Sequence, residues 1–154
     1  MPTHRDKRVL PYTADQLFEL VAGVDRYPEF LPWCLSSRIT KRDGGVFYAD
    51  LVIGFKMVRE TFGSRVDTER PHKIEVAPTA GPFRRMDNRW RFTDLPDGGC
   101  MVDFSVDFEF RSRLLNKLIG ALFFEAVKRM VSAFESRARV LYGPGIALPA
   151  PSST

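Results

Sequence analysis

The chain has 154 residues, 44% hydrophobic and 27% charged, with a formal net charge of +4 and a pI near 9.3. That length suits one domain, able to bury about 70% of its unfolded surface. Two isolated cysteines with no C-x-x-C spacing, and two histidines far from both, argue against a zinc site, while the mild basic excess suits an anionic lipid or nucleic-acid surface without requiring one.

Met1–Arg8 carries charges but no apolar run, so it does not read as a secretory signal. No stretch of about 18 apolar residues reads as a membrane span. Lone cysteines suit a reducing compartment, and the expected location is the cytoplasm. Residues 3–10 are expected to form a strand. Thr13-Ala14-Asp15-Gln16 is a capping box, and Leu17, Leu20, Val21 and Val24 follow it at helical spacing. A very short second helix is expected over 25–30, with Asp25 as its N-cap and Pro28 in its first turns. Pro32 then forces the chain out of helix.

From there the period changes to two. Residues 33–42, 45–54, 55–68, 72–79, 83–95 and 100–111 read as strands, punctuated by Asp43-Gly44-Gly45, Gly54, Ala80-Gly81-Pro82 and Pro96-Asp97-Gly98-Gly99. The last two alternate most cleanly. Met86, Asn88, Trp90 and Phe92 share one face, as do Val102, Phe104, Val106, Phe108 and Phe110; Arg85, Asp87, Arg89 and Arg91 face away, opposite acidic residues, which predicts cross-strand ion pairs on a wet face. Residues 112–142 form one helix, about 45 Å long, capped by Ser112 and stopped by Gly143-Pro144. Its apolar stripe runs from Leu114 through Leu118, Leu122 and Val127 to Leu141. The Pro- and Gly-rich residues 144–154 are expected to be a disordered tail behind a domain of residues 1–143.

The fold class is therefore α+β: a curved antiparallel sheet of six to seven strands, two short helices, and one long C-terminal helix across the concave face. A single helix about 10 Å wide leaves part of such a face uncovered, so an apolar cavity is expected between them, the helix-grip arrangement. No nucleophile elbow, phosphate loop or metal cluster stands in the sequence, which points to binding rather than catalysis. Neither His4 nor His72 falls on an expected apolar face. Asn88, Glu60 and Ser64 are the polar residues in the dry phases, each either a satisfied core group or a hydrogen-bond partner for the head of a greasy ligand. Tyr27-Pro28-Glu29-Phe30-Leu31-Pro32-Trp33-Cys34 is unusually apolar for a connection. It is either a plug at the cavity mouth or an exposed lip that meets a membrane or protein.

That run resembles the signature of the coenzyme-Q-binding START-domain family. Phe55-Lys56, Glu60-Thr61-Phe62, Ser64-Arg65-Val66, Gly81-Pro82-Phe83 and Trp90 with Phe92 add to the likeness, which spans residues 3–143. The resemblance implies a START-like fold, ubiquinone or a similar polyprenyl lipid as bound ligand, no other cofactor, and a carrier role supporting respiration. It also implies an alternative, because the family includes ribosome association toxins that bind the large ribosomal subunit and block subunit joining. Both implications stand. Pattern and resemblance together nominate Trp33, Phe62, Trp90, Phe104, Phe123, Val127 and Met130 as ligand-binding walls, and Tyr27, Phe30, Leu31 and Pro32 as the cavity entrance. The apolar lip and the mild positive charge suit peripheral contact with the inner membrane face; no DNA partner is expected. Helix-grip proteins also resemble aromatase/cyclases, but the dry faces here are too apolar to orient a polyketide.

Overall fold

A computed structural model describes residues 3–55 and 58–145. The order is β1 (Thr3–Leu10), α1 (Ala14–Ala22), a 3₁₀ helix (Val24–Glu29), β2 (Cys34–Asp43), β3 (Val46–Phe55), β4 (Val58–Glu69), β5 (Lys73–Ala80), β6 (Phe83–Asp94), β7 (Cys100–Phe110) and α2 (Arg113–Tyr142). The seven strands form one antiparallel sheet in the order β1-β7-β6-β5-β4-β3-β2, so β1 and β2 are its edges. The expected tail from residue 146 onward lies outside the described residues.

The local rules place the ends of these elements. The Thr13 hydroxyl accepts from the Gln16 N–H at 3.1 Å, and the Gln16 side chain accepts from the Thr13 N–H at 3.0 Å, completing the capping box. Asp94 at the end of β6 accepts from the Ala14 N–H at 2.9 Å, which fastens the start of α1 to the sheet. The short helix departs from expectation. It starts at Val24 behind Gly23, with no side-chain cap, so Asp25 is not its N-cap. Its bonds from Arg26 N–H to Gly23 O and from Phe30 N–H to Tyr27 O are three residues apart, the tighter winding common in short segments.

α2 is held at both ends by polar bonds. At its start the Ser112 hydroxyl accepts from the Leu115 N–H. Asn116 accepts from the Phe110 N–H at 2.8 Å and donates to the Phe110 carbonyl at 2.9 Å, closing a two-bond clamp onto the end of β7. At its finish the Tyr142 hydroxyl donates to Gln16 O, and the Tyr12 hydroxyl donates to Gly143 O, where a φ of 73° ends the helix. The helix is thus pinned to β7 at one end and to α1 at the other.

The outer face of β6 and β7 carries an expected cross-strand ion pair, Arg85 with Asp107 at 2.8 Å; Arg84, which the alternation does not place on that face, also pairs with Glu109 at 3.3 Å, next to the register shift between Phe83 and Arg85. Exposed pairs of this kind contribute about 0–1 kcal/mol each. The inner face is aromatic. Trp90 stands opposite Phe104, and Phe92 opposite Val102, with both pairs buried under α1 and α2. Gly81, at φ 131°, turns β5 into β6 directly over Phe62. A Cβ there would lie 2.5 Å from that side chain's Cβ, so this close approach requires glycine.

Two sequence expectations are corrected here. The stripe on α2 is wider than the surface that covers it: Leu114 is 66% exposed and Leu141 47%. A helix crossing a curved sheet meets it over a limited arc, and the outer flank of the stripe stays wet. His4, set aside as lying off the apolar face, stands opposite Val106 with its ring 6.0 Å from Phe104. Edge strand β1 places its even-numbered residues on the inner side, where Leu10 packs against the core but His4, Asp6 and Arg8 are polar: Arg8 reaches from this face to Glu135 on α2 at 2.9 Å.

Candidate functional site

The interior between α2 and the sheet holds two apolar clusters. The larger joins α1, the 3₁₀ helix, β2–β7 and the second half of α2, and its centre is Trp90, Phe92, Phe104 and Phe134. The smaller lies under the first half of α2. Phe83, Phe108 and Phe110 are buried there, with Met86, Leu115 and Ile119 half-buried against them. Phe62, Val106 and Phe123 pack against both clusters and form the seam between them. Ring contacts at 5.2 Å tie Phe62 to Phe83 and Phe108 to Phe123.

All seven expected wall residues join the larger cluster. Trp90, Phe104 and Val127 are fully buried in it, whereas Trp33, Phe62, Phe123 and Met130 are half-buried on its flanks. Where the sequence predicts a cavity, the structure has this seam of half-buried apolar side chains, continuous from the core to the first half of α2. Two solvent-open grooves lie elsewhere. One, about 410 Å³, is lined by polar residues such as Arg70, His72, Lys73 and Arg91; the other, about 480 Å³, runs along β2 from Ser37 to Arg42.

The Tyr27–Cys34 segment packs as a plug. Leu31 is buried, and the rings of Tyr27 and Phe30 stand edge-on to Phe134 at 5.5 and 5.3 Å. The Tyr27 hydroxyl donates to Val21 O, and Arg137 of α2 lies over the Phe30 ring while pairing with Glu29. Only Pro32 of the four expected entrance residues is exposed. These contacts set the segment against the second half of α2, at the opposite end from the smaller aromatic cluster.

The polar residues of the dry phases resolve differently. Asn88 donates to Ser105 O at 3.0 Å and accepts from the Trp90 indole at 3.0 Å, which locks the Trp90 ring. The Ser64 hydroxyl donates to Ala49 O at 3.2 Å. Both are satisfied core groups. Glu60 is half-buried, in phase with Phe62. Among the described residues the buried polar atoms with no partner are found elsewhere: Trp33 Nε1, Ser37 Oγ, His4 Nε2 and Arg137 Nε. A buried group left unpaired costs about 1–3 kcal/mol, so these are the atoms with most to gain from a bound acceptor or donor. Sequence pattern nominated Trp33 as an apolar wall and missed its N–H. For Ser37 and His4 the signal was register, which only pairing supplies.

Burial holds both cysteines as thiols. Burial pushes the Cys34 thiol up to about 11, and the Cys100 thiol likewise to about 11. Burial first, and then the nearness of Cys34, raises the Tyr27 phenol. All three stay protonated at neutral pH. Among the described residues no group of three His, Cys, Asp or Glu side chains could hold a metal ion. Nor is any helix among them long and apolar enough to cross a membrane.

Comparison with known proteins places this architecture. Residues 10–135 match the family described as polyketide cyclase / dehydrase and lipid transport. The ribosome association toxin RatA of Escherichia coli K12 is 34% identical over 142 residues, covering 92% of this chain and 90% of RatA. The mitochondrial coenzyme Q-binding protein COQ10 homolog B of Xenopus laevis is 35% identical over 144 residues, covering 91% of this chain but 59% of that protein. The solution structure of the 18 kDa protein CC1736 from Caulobacter crescentus is 39% identical, with a TM-score of 0.74 over 93% of this chain and 99% of that one. A START superfamily protein from Mycobacterium smegmatis, 16% identical, shares the fold at a TM-score of 0.77 over 90% of this chain and 98% of that one. The chain belongs to the polyketide cyclase / dehydrase and lipid transport family, with a START-like helix-grip fold and with relatives named both for coenzyme Q binding and for ribosome association.

Proposed function

We propose that the chain binds ubiquinone or a related polyprenyl lipid between α2 and the sheet and carries it as a quinone chaperone, without catalysing a reaction. The observation that carries this reading is the seam itself. Phe62, Val106 and Phe123, all half-buried, link the larger core to the smaller aromatic cluster, so an apolar chain entering there would replace contacts among half-buried side chains rather than break the core. Each CH₂-sized group of a prenyl tail taken from water contributes about 0.8 kcal/mol. A quinone ring suits stacking on aromatic side chains, and its carbonyl oxygens suit the unpaired Trp33 indole N–H. The COQ10 relative's name supports the choice of ligand. On this reading the protein works in the cytoplasm and visits the inner membrane face.

The test is solvent extraction of the protein purified from membranes, with mass spectrometry of the extract. Quinone is expected to copurify with the wild type and to be lost from Phe123→Arg, with circular dichroism checking that the variant is folded. Equal quinone in both would overturn the assignment of the seam.

A second reading has its own support. RatA relatives match this chain over nearly their whole length, whereas the chain spans 59% of the COQ10 relative. On that reading the chain binds the large ribosomal subunit and blocks subunit joining. Polysome profiles at high expression separate the two: accumulation of free subunits supports ribosome association, and unchanged profiles remove it.

A further inference from the structure

The first half of α2 has a second face that is exposed among the described residues. Leu114, Lys117, Ala121, Phe124 and Lys128 are spaced alternately three and four residues apart, so they line one side of the helix, and all five are exposed. Phe124 is 70% exposed and Leu114 66%, which makes them two of the largest apolar side chains left in water among the described residues. Between Arg111 and Arg129 the sequence carries five cations, Arg111, Arg113, Lys117, Lys128 and Arg129, against the single carboxylate of Glu125. That net +4 equals the excess of the entire chain. The basic balance is therefore concentrated around this apolar stripe.

We propose that this outer face of α2 docks onto an anionic lipid bilayer, with Phe124 and Leu114 entering the acyl boundary and the flanking Lys and Arg meeting lipid phosphates. The combination selects the occupant. An apolar stripe with a basic flank is the composition of helices that lie in a membrane interface. A second copy of the chain seated two-fold on the same face would bring Lys117 and Lys128 of both copies together, and like charges oppose that pairing. RNA would meet the cations but would leave aliphatic Leu114 without a stacking partner. Position agrees as well. On the inner side of the same turns Leu115 and Ile119 pack against the smaller cluster and Phe123 stands in the seam, so a docked helix would bring the seam to the bilayer surface. The proposal rests on the lipid-carrier reading above and says where such a carrier would meet its membrane.

Cosedimentation tests it, using full-length protein with vesicles of phosphatidylcholine alone or of equal parts phosphatidylglycerol and phosphatidylcholine. The wild type is expected to sediment with the anionic vesicles, to release as salt is raised, and to ignore the neutral ones. Phe124→Asp is expected to weaken anionic-vesicle binding more than tenfold. Lys117→Glu/Lys128→Glu should reduce it to the neutral level. All three residues are exposed, so melting temperatures should match the wild type, and none contacts the seam, so extracted quinone should be unchanged. Absence of wild-type binding, or wild-type binding by both variants, overturns the proposal; so does capture by poly(U) RNA in preference to vesicles. Docking without quinone in the extract would remove the carrier reading and leave the surface standing, whereas quinone without docking would do the reverse.

Discussion

Phe134 is the side chain on which the plug, the sheet and the long helix meet, and its removal is the most direct test of the packing described above. It is 8% exposed and makes edge-on ring contacts with Tyr27, Phe30 and Trp90 at 5.5, 5.3 and 5.3 Å. Phe→Ala in a packed core costs about 3–5 kcal/mol, and aromatic pairs contribute about 0.5–1.5 kcal/mol each beyond their area. Three such pairs put Phe134→Ala near the upper end, at about 4 kcal/mol. For a chain of this size that lowers the melting temperature by about 8–16 °C. Phe134→Leu keeps most of the volume and loses the ring contacts, so its cost should be about 1–2 kcal/mol. Urea denaturation followed by tryptophan fluorescence measures both. A loss below about 1 kcal/mol for the alanine variant, or equal losses for the two, would refute the view that the Tyr27–Cys34 segment is a plug held by this ring.

Three further outcomes are expected. Asn116→Asp keeps the acceptor for the Phe110 N–H but sets a carboxylate against the Phe110 carbonyl, so urea denaturation should show a loss of about 1–3 kcal/mol. Gly120→Ala should stabilise by about 0.5–1 kcal/mol, because the added Cβ meets nothing within 4 Å and helix propensity favours alanine; an unchanged or lower urea midpoint would contradict this. Cys34 and Cys100 should resist iodoacetamide at pH 8 in the native protein and react in urea. Their folded pKa values, about 11, lie above the ordinary value of 9.0, so their contribution is complete below pH 9 and is lost as pH rises from 9 through 11; the Cys34→Ala/Cys100→Ala variant should lose less stability over that window.

Much of this molecule is legible in the chain because its cues are local. The capping box at Thr13 and Gln16, the Ser112 cap, the Gly143 stop and the strict alternation of β6 and β7 each act within a few residues, and each appears where the spacing predicts. The ion pairs on the wet face follow from the same alternation once β6 and β7 are taken as a hairpin. The relationship to coenzyme Q-binding and ribosome association proteins was legible for a similar reason, since its motifs are short runs of sequence. Burial is not local. Apolar periodicity marks the flank of a helix that prefers to leave water, but Leu114 and Leu141 remain exposed because the curved sheet covers only one arc of α2. The interior position of His4 depends on its register opposite Val106, about a hundred residues away in sequence, which no short window contains. The Tyr27–Cys34 run reads equally as a plug or a lip until Phe134 and Arg137 arrive beside it from the far end of the chain. The sequence by itself determined which elements form and which of their faces are apolar. Only the tertiary structure decided which apolar residues those faces bury, which they leave half-covered along the seam, and which they leave in water, because that depends on how much surface a neighbouring element has to offer.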